Sequence, residues 1–167
     1  METAFRVSVA AYGVVWLYAA LALPDRVPIH FGVSGAVDAV ADKTSALMIF
    51  AAIGAGTALV LWWAARLVLR GSIHLLNLPH KPWWTQSPER EQRARRMLRH
   101  DALIMATATM ALLVVVLAST VGAAQSDQPR LGGMFFVALA AYLVGTAVWT
   151  VRMYRGRYHP DRQEGTP

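Results

Sequence analysis

ALIMATATMALLVVVLASTVGAAQS, residues 102–126, runs for 25 residues without an Asp, Glu, Lys or Arg. The hydrocarbon layer of a bilayer is about 30 Å thick, and a helix rising about 1.5 Å per residue crosses it with about 20 apolar residues. Three further stretches share this character: 7–23, 44–65 and 131–151, of 17, 22 and 21 residues. Together the four take up half of a 167-residue chain that is 56% hydrophobic and 16% charged, with a mean hydropathy of +0.38. A soluble domain carries about 25% charged residues. The pattern excludes a soluble globular enzyme, a nucleic-acid-binding domain and a disordered chain. It predicts an all-α fold, a four-helix transmembrane bundle with spans at about 5–23, 44–69, 100–124 and 131–152.

On the N-terminal side of residues 102–126 the composition reverses. Ser87-Pro88-Glu89 reads as an N-cap, a first-position proline and a first-turn acid. Arg90, Arg93, Arg95, Arg96 and Arg99 follow. One helix can run from there to about Ala124, its first three turns standing clear of the lipid. On the other side, residues 126–130 with Pro129 read as a tight turn.

The net charge is +6. Thirteen of the 16 Lys and Arg residues fall before the first uncharged run, between the second and third, or after the fourth. Only Arg26, Lys43 and Arg130 occupy the other two loops. The positive-inside rule then puts both termini in the cytoplasm and loop 24–43 outside. Trp62, Trp63, Trp149 and Tyr154 at the inner span ends agree, since amphipathic rings favour the headgroup level. The basic balance therefore reports topology, and no nucleic-acid partner is expected. The chain has no cysteine, so neither disulfides nor thiolate chemistry enter. No acid or base lies inside the four uncharged runs, and His30, His74, His80, His100 and His159 are all outside them, which argues against a proton-coupled pump. The first run ends Ala20-Leu21-Ala22, which resembles a signal-peptidase site; its length and the bulky Trp16 and Tyr18 favour a retained span. Gly54 with Ala58, Ala52 with Gly56, and Ala141 with Gly145 are spaced for close helix contact, read first as packing within the bundle. The tail, 153–167, is polar with Gly and Pro and is expected to be disordered.

Two loops carry information. Loop 24–43 reads as a small hairpin: Val27 to Phe31 and Ala36 to Val40 flank Gly32-Val33-Ser34-Gly35, where two glycines permit positive φ. Asp42 or Thr44 can cap the following helix. In such a hairpin His30 and Asp38 come to face each other, and a bond from Asp38 would set the tautomer of the ring. That pair is either a structural lock or part of a binding element for a peptide, a lipid headgroup or a cation. His30, Asp38 and Asp42 are the weak candidates for a metal, although their spacing matches no metal signature, and no cofactor is expected. The inner segment 72–86 holds Ile73, Leu75, Leu76, Leu78 and Trp83-Trp84. Pro79 and Pro82 are expected to break any helix there, so the segment is placed at the inner headgroup level. Asn77, His80 and Lys81 either finish a rigid inner loop or clamp headgroup phosphates. The arginines at 90, 93, 95, 96 and 99 are read as topology plus attraction to anionic headgroups, about 1 kcal/mol each near the surface. Docking of an acidic cytoplasmic partner is the alternative.

The string Leu23-Pro24-Asp25-Arg26-Val27-Pro28-Ile29-His30-Phe31, followed by Gly35, Asp38 and Lys43, resembles the bacterial membrane domain of unknown function at the N-terminal end of SdpI-type immunity proteins. Asn77-Leu78-Pro79-His80-Lys81-Pro82-Trp83-Trp84 is similar to that family's Asn-x-Pro-x-(Lys/Arg) segment after the second span. The likeness covers about 5–84 and points to the short four-span members. The chain departs from the pattern at Gly32, where an Asn is usual, and at Val40-Ala41-Asp42, where many members are rich in Gly. The resemblance implies a bacterial plasma-membrane protein that meets a peptide toxin outside and a soluble or membrane partner within, in immunity or signalling. The candidate binding residues are Pro24, Pro28, His30, Phe31, Gly35, Asp38 and Lys43, with Asn77, Pro79 and Lys81 inside. The leading expectation is a non-enzymatic protein of that kind. A small accessory subunit of a larger membrane complex is the alternative, and a metal- or lipid-dependent membrane enzyme using His30 and Asp38 is the weaker one.

Overall fold

A computed structural model describes residues 1–164. Ser87 opens the helix to which residues 102–126 belong: its hydroxyl accepts from the Arg90 amide at 3.3 Å. Pro88 takes the first helical position, where no amide partner is needed, and the helix runs unbroken over 37 residues to Ala124. In chain order the helices are α1 Glu2–Ala22, α2 Lys43–Arg70, the single turn α3 Lys81–Trp84, α4 Pro88–Ala124, α5 Gly133–Arg152 and the single turn α6 Asp161–Glu164. Four of these, α1, α2, α4 and α5, are long and apolar enough to cross a membrane, and they make an all-α four-helix bundle. Between α1 and α2 the chain forms an antiparallel pair, β1 Arg26–Phe31 and β2 Val37–Asp42.

α4 is the central helix, packed against α1, α2 and α5. The core lies among the first three: Phe5, Tyr12 and Ala19 of α1, Ala46 and Phe50 of α2, and Leu103, Ala106, Met110 and Leu117 of α4. A helix that is apolar all round cannot choose its buried face by hydropathy. Here shape and hydrogen bonds choose it. The Tyr12 ring lies so close to Gly54 that a Cβ there would stand 2.0 Å from Tyr12 Cε1. The Tyr12 hydroxyl donates to the Phe50 carbonyl at 2.7 Å, and Trp16 Nε1 donates to that of Leu47 at 3.0 Å. The packing expected of the small-residue pairs is thus found at Gly54. It is not found at Gly56 or Gly145, where an added Cβ would meet nothing within 4 Å. α5 is peripheral, with no buried residue. A hydrogen bond between Thr109 Oγ1 and the Tyr142 hydroxyl, 3.0 Å, ties it to α4.

At the end of the bundle away from the hairpin a second cluster gathers Ile73, Leu78, Trp84, Ala94 and Tyr158. Two expectations change here. Pro82 does not exclude a helix, because it falls in the first turn of α3, where its missing amide has no partner to lose. The tail expected to be disordered from 153 is ordered as far as it is described. Met153–Arg157 continues α5 as a π-helical turn, α6 follows, and Tyr158 between them is fully buried. One large aromatic anchor outweighs the polar composition around it. Residues 165–167 of that expected tail lie outside the described residues.

Candidate functional site

Loop 24–43 is short, and its residues must leave α1 and enter α2 side by side. Pro24 stops α1, and the Lys43 amide bonds the Asp25 carbonyl at 3.0 Å, closing the base of the hairpin. The strands span Arg26–Phe31 and Val37–Asp42, with the register slipping between Pro28 and His30 and again before Phe31. The bulge re-aims the chain beyond it; ahead of it Val27 and Pro28 are both buried, although they are neighbours in a strand. His30 instead turns outward and meets Asp38, Nδ1 to Oδ1 at 2.5 Å, with the imidazole 70% exposed. With the carboxylate accepting from Nδ1–H, the neutral ring presents Nε2 as an acceptor.

The turn uses one of its two glycines for conformation. Gly35 has φ +79°, and an added Cβ would stand 3.2 Å from the Leu131 carbonyl oxygen and from the Phe136 ring. Its own carbonyl accepts from the Leu131 amide at 2.9 Å, so Gly35 joins the hairpin to the α4–α5 connection. Gly32 does not adopt positive φ.

Asp42 caps α2, accepting from the Ser45 amide at 2.9 Å, and that bond holds its carboxyl below the usual carboxylate range. Its carboxylate is therefore spent on the helix, and the weak metal set His30, Asp38 and Asp42 is not assembled; among the described residues no three His, Asp or Glu side chains converge. A lowered folded-state pKa means that the cap's contribution is complete above the ordinary carboxylate pKa and is lost as pH falls through the lower folded value. Asp42→Asn, which caps without titrating, should remove that acid-dependent loss; helicity followed by circular dichroism between pH 5 and 2 would check it.

Behind the hairpin lies an apolar cavity of about 220 Å³. Ile29, His30 and Phe31 of β1 border it, with Phe50 and Ile53 of α2, Leu113 and Leu117 of α4, and Phe135 of α5. Tyr12 and Thr120 also reach it, but their hydroxyls are bonded to the Phe50 and Val116 carbonyls. His30 is left as the polar group on its border with an uncommitted ring nitrogen. The arrangement suits a ligand with an apolar body and one hydrogen-bond donor.

The other candidates are scattered or spent on the chain itself. Asn77 Nδ2 donates to the Tyr154 hydroxyl at 3.2 Å, Pro79 is buried, and Lys81 Nζ donates to the His74 carbonyl at 3.1 Å. Of the arginine series, Arg95 ion-pairs with Glu91 and donates to the Val68 and Gly71 carbonyls, both at 2.8 Å, satisfying the open end of α2. Arg99 pairs with Glu2 at 3.1 Å, and Arg90 stacks on Trp83. Arg93 and Arg96 remain exposed.

Sequence reasoning missed Asp101. It stands one residue before the uncharged run and is 1% exposed. Its Oδ2 accepts from the Tyr158 hydroxyl at 2.7 Å and from Arg157 Nε at 3.0 Å. Burial and the adjacent carboxylate raise the Tyr158 phenol above its ordinary pKa, so it stays a neutral donor. The missed signal was a lone acid among arginines at a span boundary.

No curated protein and no solved structure is significantly similar to the chain. Residues 7–55, which are α1 from Val7, the hairpin and the first part of α2, match the family model of a domain of unknown function, DUF1648, known from SdpI-type proteins and typical of membrane proteins rather than of a known enzyme family.

Proposed function

We propose that the chain is a non-enzymatic SdpI-like protein of immunity or signalling in a bacterial plasma membrane, with both termini cytoplasmic and the hairpin outside. The hairpin end receives an amphipathic ligand, a peptide toxin being the leading case. The observation that supports this reading most is His30, tied to Asp38 and bordering the apolar cavity under the hairpin. The apolar part of a peptide enters the cavity, and a donor on it meets His30 Nε2.

Because the chain lacks cysteine, single cysteines report topology without background. Ser34→Cys should react with an impermeant maleimide on intact cells, and Gln92→Cys only after lysis. In a toxin-sensitive host, the wild-type chain should protect. His30→Ala should be about tenfold more sensitive, the worth of one hydrogen bond, while reaching the membrane in equal amount. Labelling of Gln92→Cys on intact cells would overturn the orientation, and wild-type cells no better protected than empty-vector cells would overturn the role.

A second reading, a small subunit of a larger membrane complex, is favoured by α5, which packs chiefly on α4 and buries none of its residues. Purification in mild detergent would then retain a stoichiometric partner.

A further inference from the structure

Four arginines converge at the end of the bundle away from the hairpin. Arg93 of α4, Arg152 at the end of α5, Arg157 and Arg162 line one cavity of about 610 Å³. Met97 and Gly156 complete much of its wall, Gln163 closes it, and no carboxylate is among its described lining residues. The carboxylate that stands behind it, Asp101, engages Arg157 through Nε, which leaves the terminal nitrogens of that guanidinium outside the bond. Arg93 and Arg152 have no hydrogen-bond or ion-pair partner among the described residues.

Arg157 is paired with Asp101, but Arg93 and Arg152 bring two like charges to the same hollow with no carboxylate between them, so the arrangement is stable when an anion fills it or when water and salt screen it. The fork of N–H groups on each guanidinium matches the oxygens of a phosphate, which several arginines can share. The depth fits as well. Arg152 directly follows the apolar run 131–151, and Arg93 stands nine residues before Ala102, about 13 Å along α4. The cavity thus begins where hydrocarbon ends and rises through the layer in which lipid phosphates lie.

We propose that this pocket binds a phosphate group, carried by a membrane lipid or free in solution. The inference is independent of the ligand assigned to the hairpin, since it uses other residues at the opposite end. It differs from general attraction of basic residues to anionic membranes in naming the arginines that matter. Arg93, Arg152, Arg157 and Arg162 form the site, whereas Arg70 and Arg96, exposed at the same end, do not line it.

The full chain, purified in a maltoside detergent, would be titrated with dioctanoyl phosphatidic acid, dioctanoyl phosphatidylcholine and sodium phosphate against sodium chloride. Binding is read by native mass spectrometry for the lipids and by thermal shift for all. Phosphatidic acid is expected to bind and to raise the midpoint, and Arg93→Gln/Arg152→Gln is expected to weaken it by about tenfold or more, the factor lost with a charge-assisted hydrogen bond. The matched variant Arg70→Gln/Arg96→Gln, which removes equal charge, should bind as wild type. Neither pair has a hydrogen-bond or ion-pair partner among the described residues, so equal midpoints without ligand verify folding. A response to phosphatidic acid alone assigns the phosphate to a lipid, and a response to sodium phosphate alone assigns it to solution. Phosphatidylcholine binding as tightly as phosphatidic acid, no response to either phosphate source, or equal weakening by both variant pairs would overturn the pocket.

Discussion

Replacing Asp101 by alanine is expected to destabilise the folded chain by about 2–4 kcal/mol and to free the segment after α5. The magnitude follows from what the substitution leaves behind. Removing one member of a buried charge pair costs about 3–5 kcal/mol, and an orphaned buried donor about 1–3. Tyr158 is fully buried, so its hydroxyl would lose its acceptor without gaining water. Arg157 is 31% exposed, so part of its loss is recovered by solvent, which places the sum below the upper limit. The consequence travels, because Trp84 Nε1 donates to the Tyr158 carbonyl at 3.3 Å. One carboxylate on α4 thereby holds the C-terminal segment, and the C-terminal segment holds α3. Asp101→Asn keeps an acceptor for the tyrosine and loses the charge, so it should cost about half as much. Thermal unfolding in detergent, followed by tryptophan fluorescence, measures the first effect. Trypsin cleavage at Arg155 and Arg157 measures the second, expected to quicken in Asp101→Ala. An unchanged midpoint together with unchanged cleavage would show that the network does not hold the segment.

The second large effect is expected at Gly54. Gly54→Leu should cost about 2–4 kcal/mol, the sum of overpacking and of one lost hydrogen bond. The first new atom already overlaps the Tyr12 ring. The ring cannot swing aside cheaply, since its hydroxyl is bonded to the Phe50 carbonyl on the same helix as Gly54. Either the bond breaks or α1 moves off α2. Gly56→Leu, two residues along and facing open space, is the control and should change stability by less than about 0.5 kcal/mol. Equal midpoints for the two variants in thermal unfolding would refute the close approach of α1 and α2.

The helices and their ends were legible because they depend on local chemistry. Runs without charge mark spans, Ser87-Pro88-Glu89 marks a helix start, and Pro24 marks a stop. The hairpin was legible from its turn residues, and with it the facing of His30 and Asp38, a contact eight residues apart in sequence. The shift in register after Pro28 was not legible, because a bulge is set by what the strand must pack on. The partners of Arg95 were hidden for the same reason: they are carbonyls 27 and 24 residues away. Nothing local distinguishes an arginine that caps a distant helix from one that faces solvent.

What the sequence by itself determined is the number of long helices, their limits and the hairpin between the first two, since a bilayer demands apolar length and a turn demands particular backbone freedom. What only the tertiary structure decided is which face of each helix is buried, which of the arginines are spent on the chain, and that the last described segment is anchored. A helix apolar on every side carries no mark of its neighbour. The choice falls to shape, as between Tyr12 and Gly54, and to single polar bonds across long separations, as between Asp101 and Tyr158, which lie 57 residues apart in the chain.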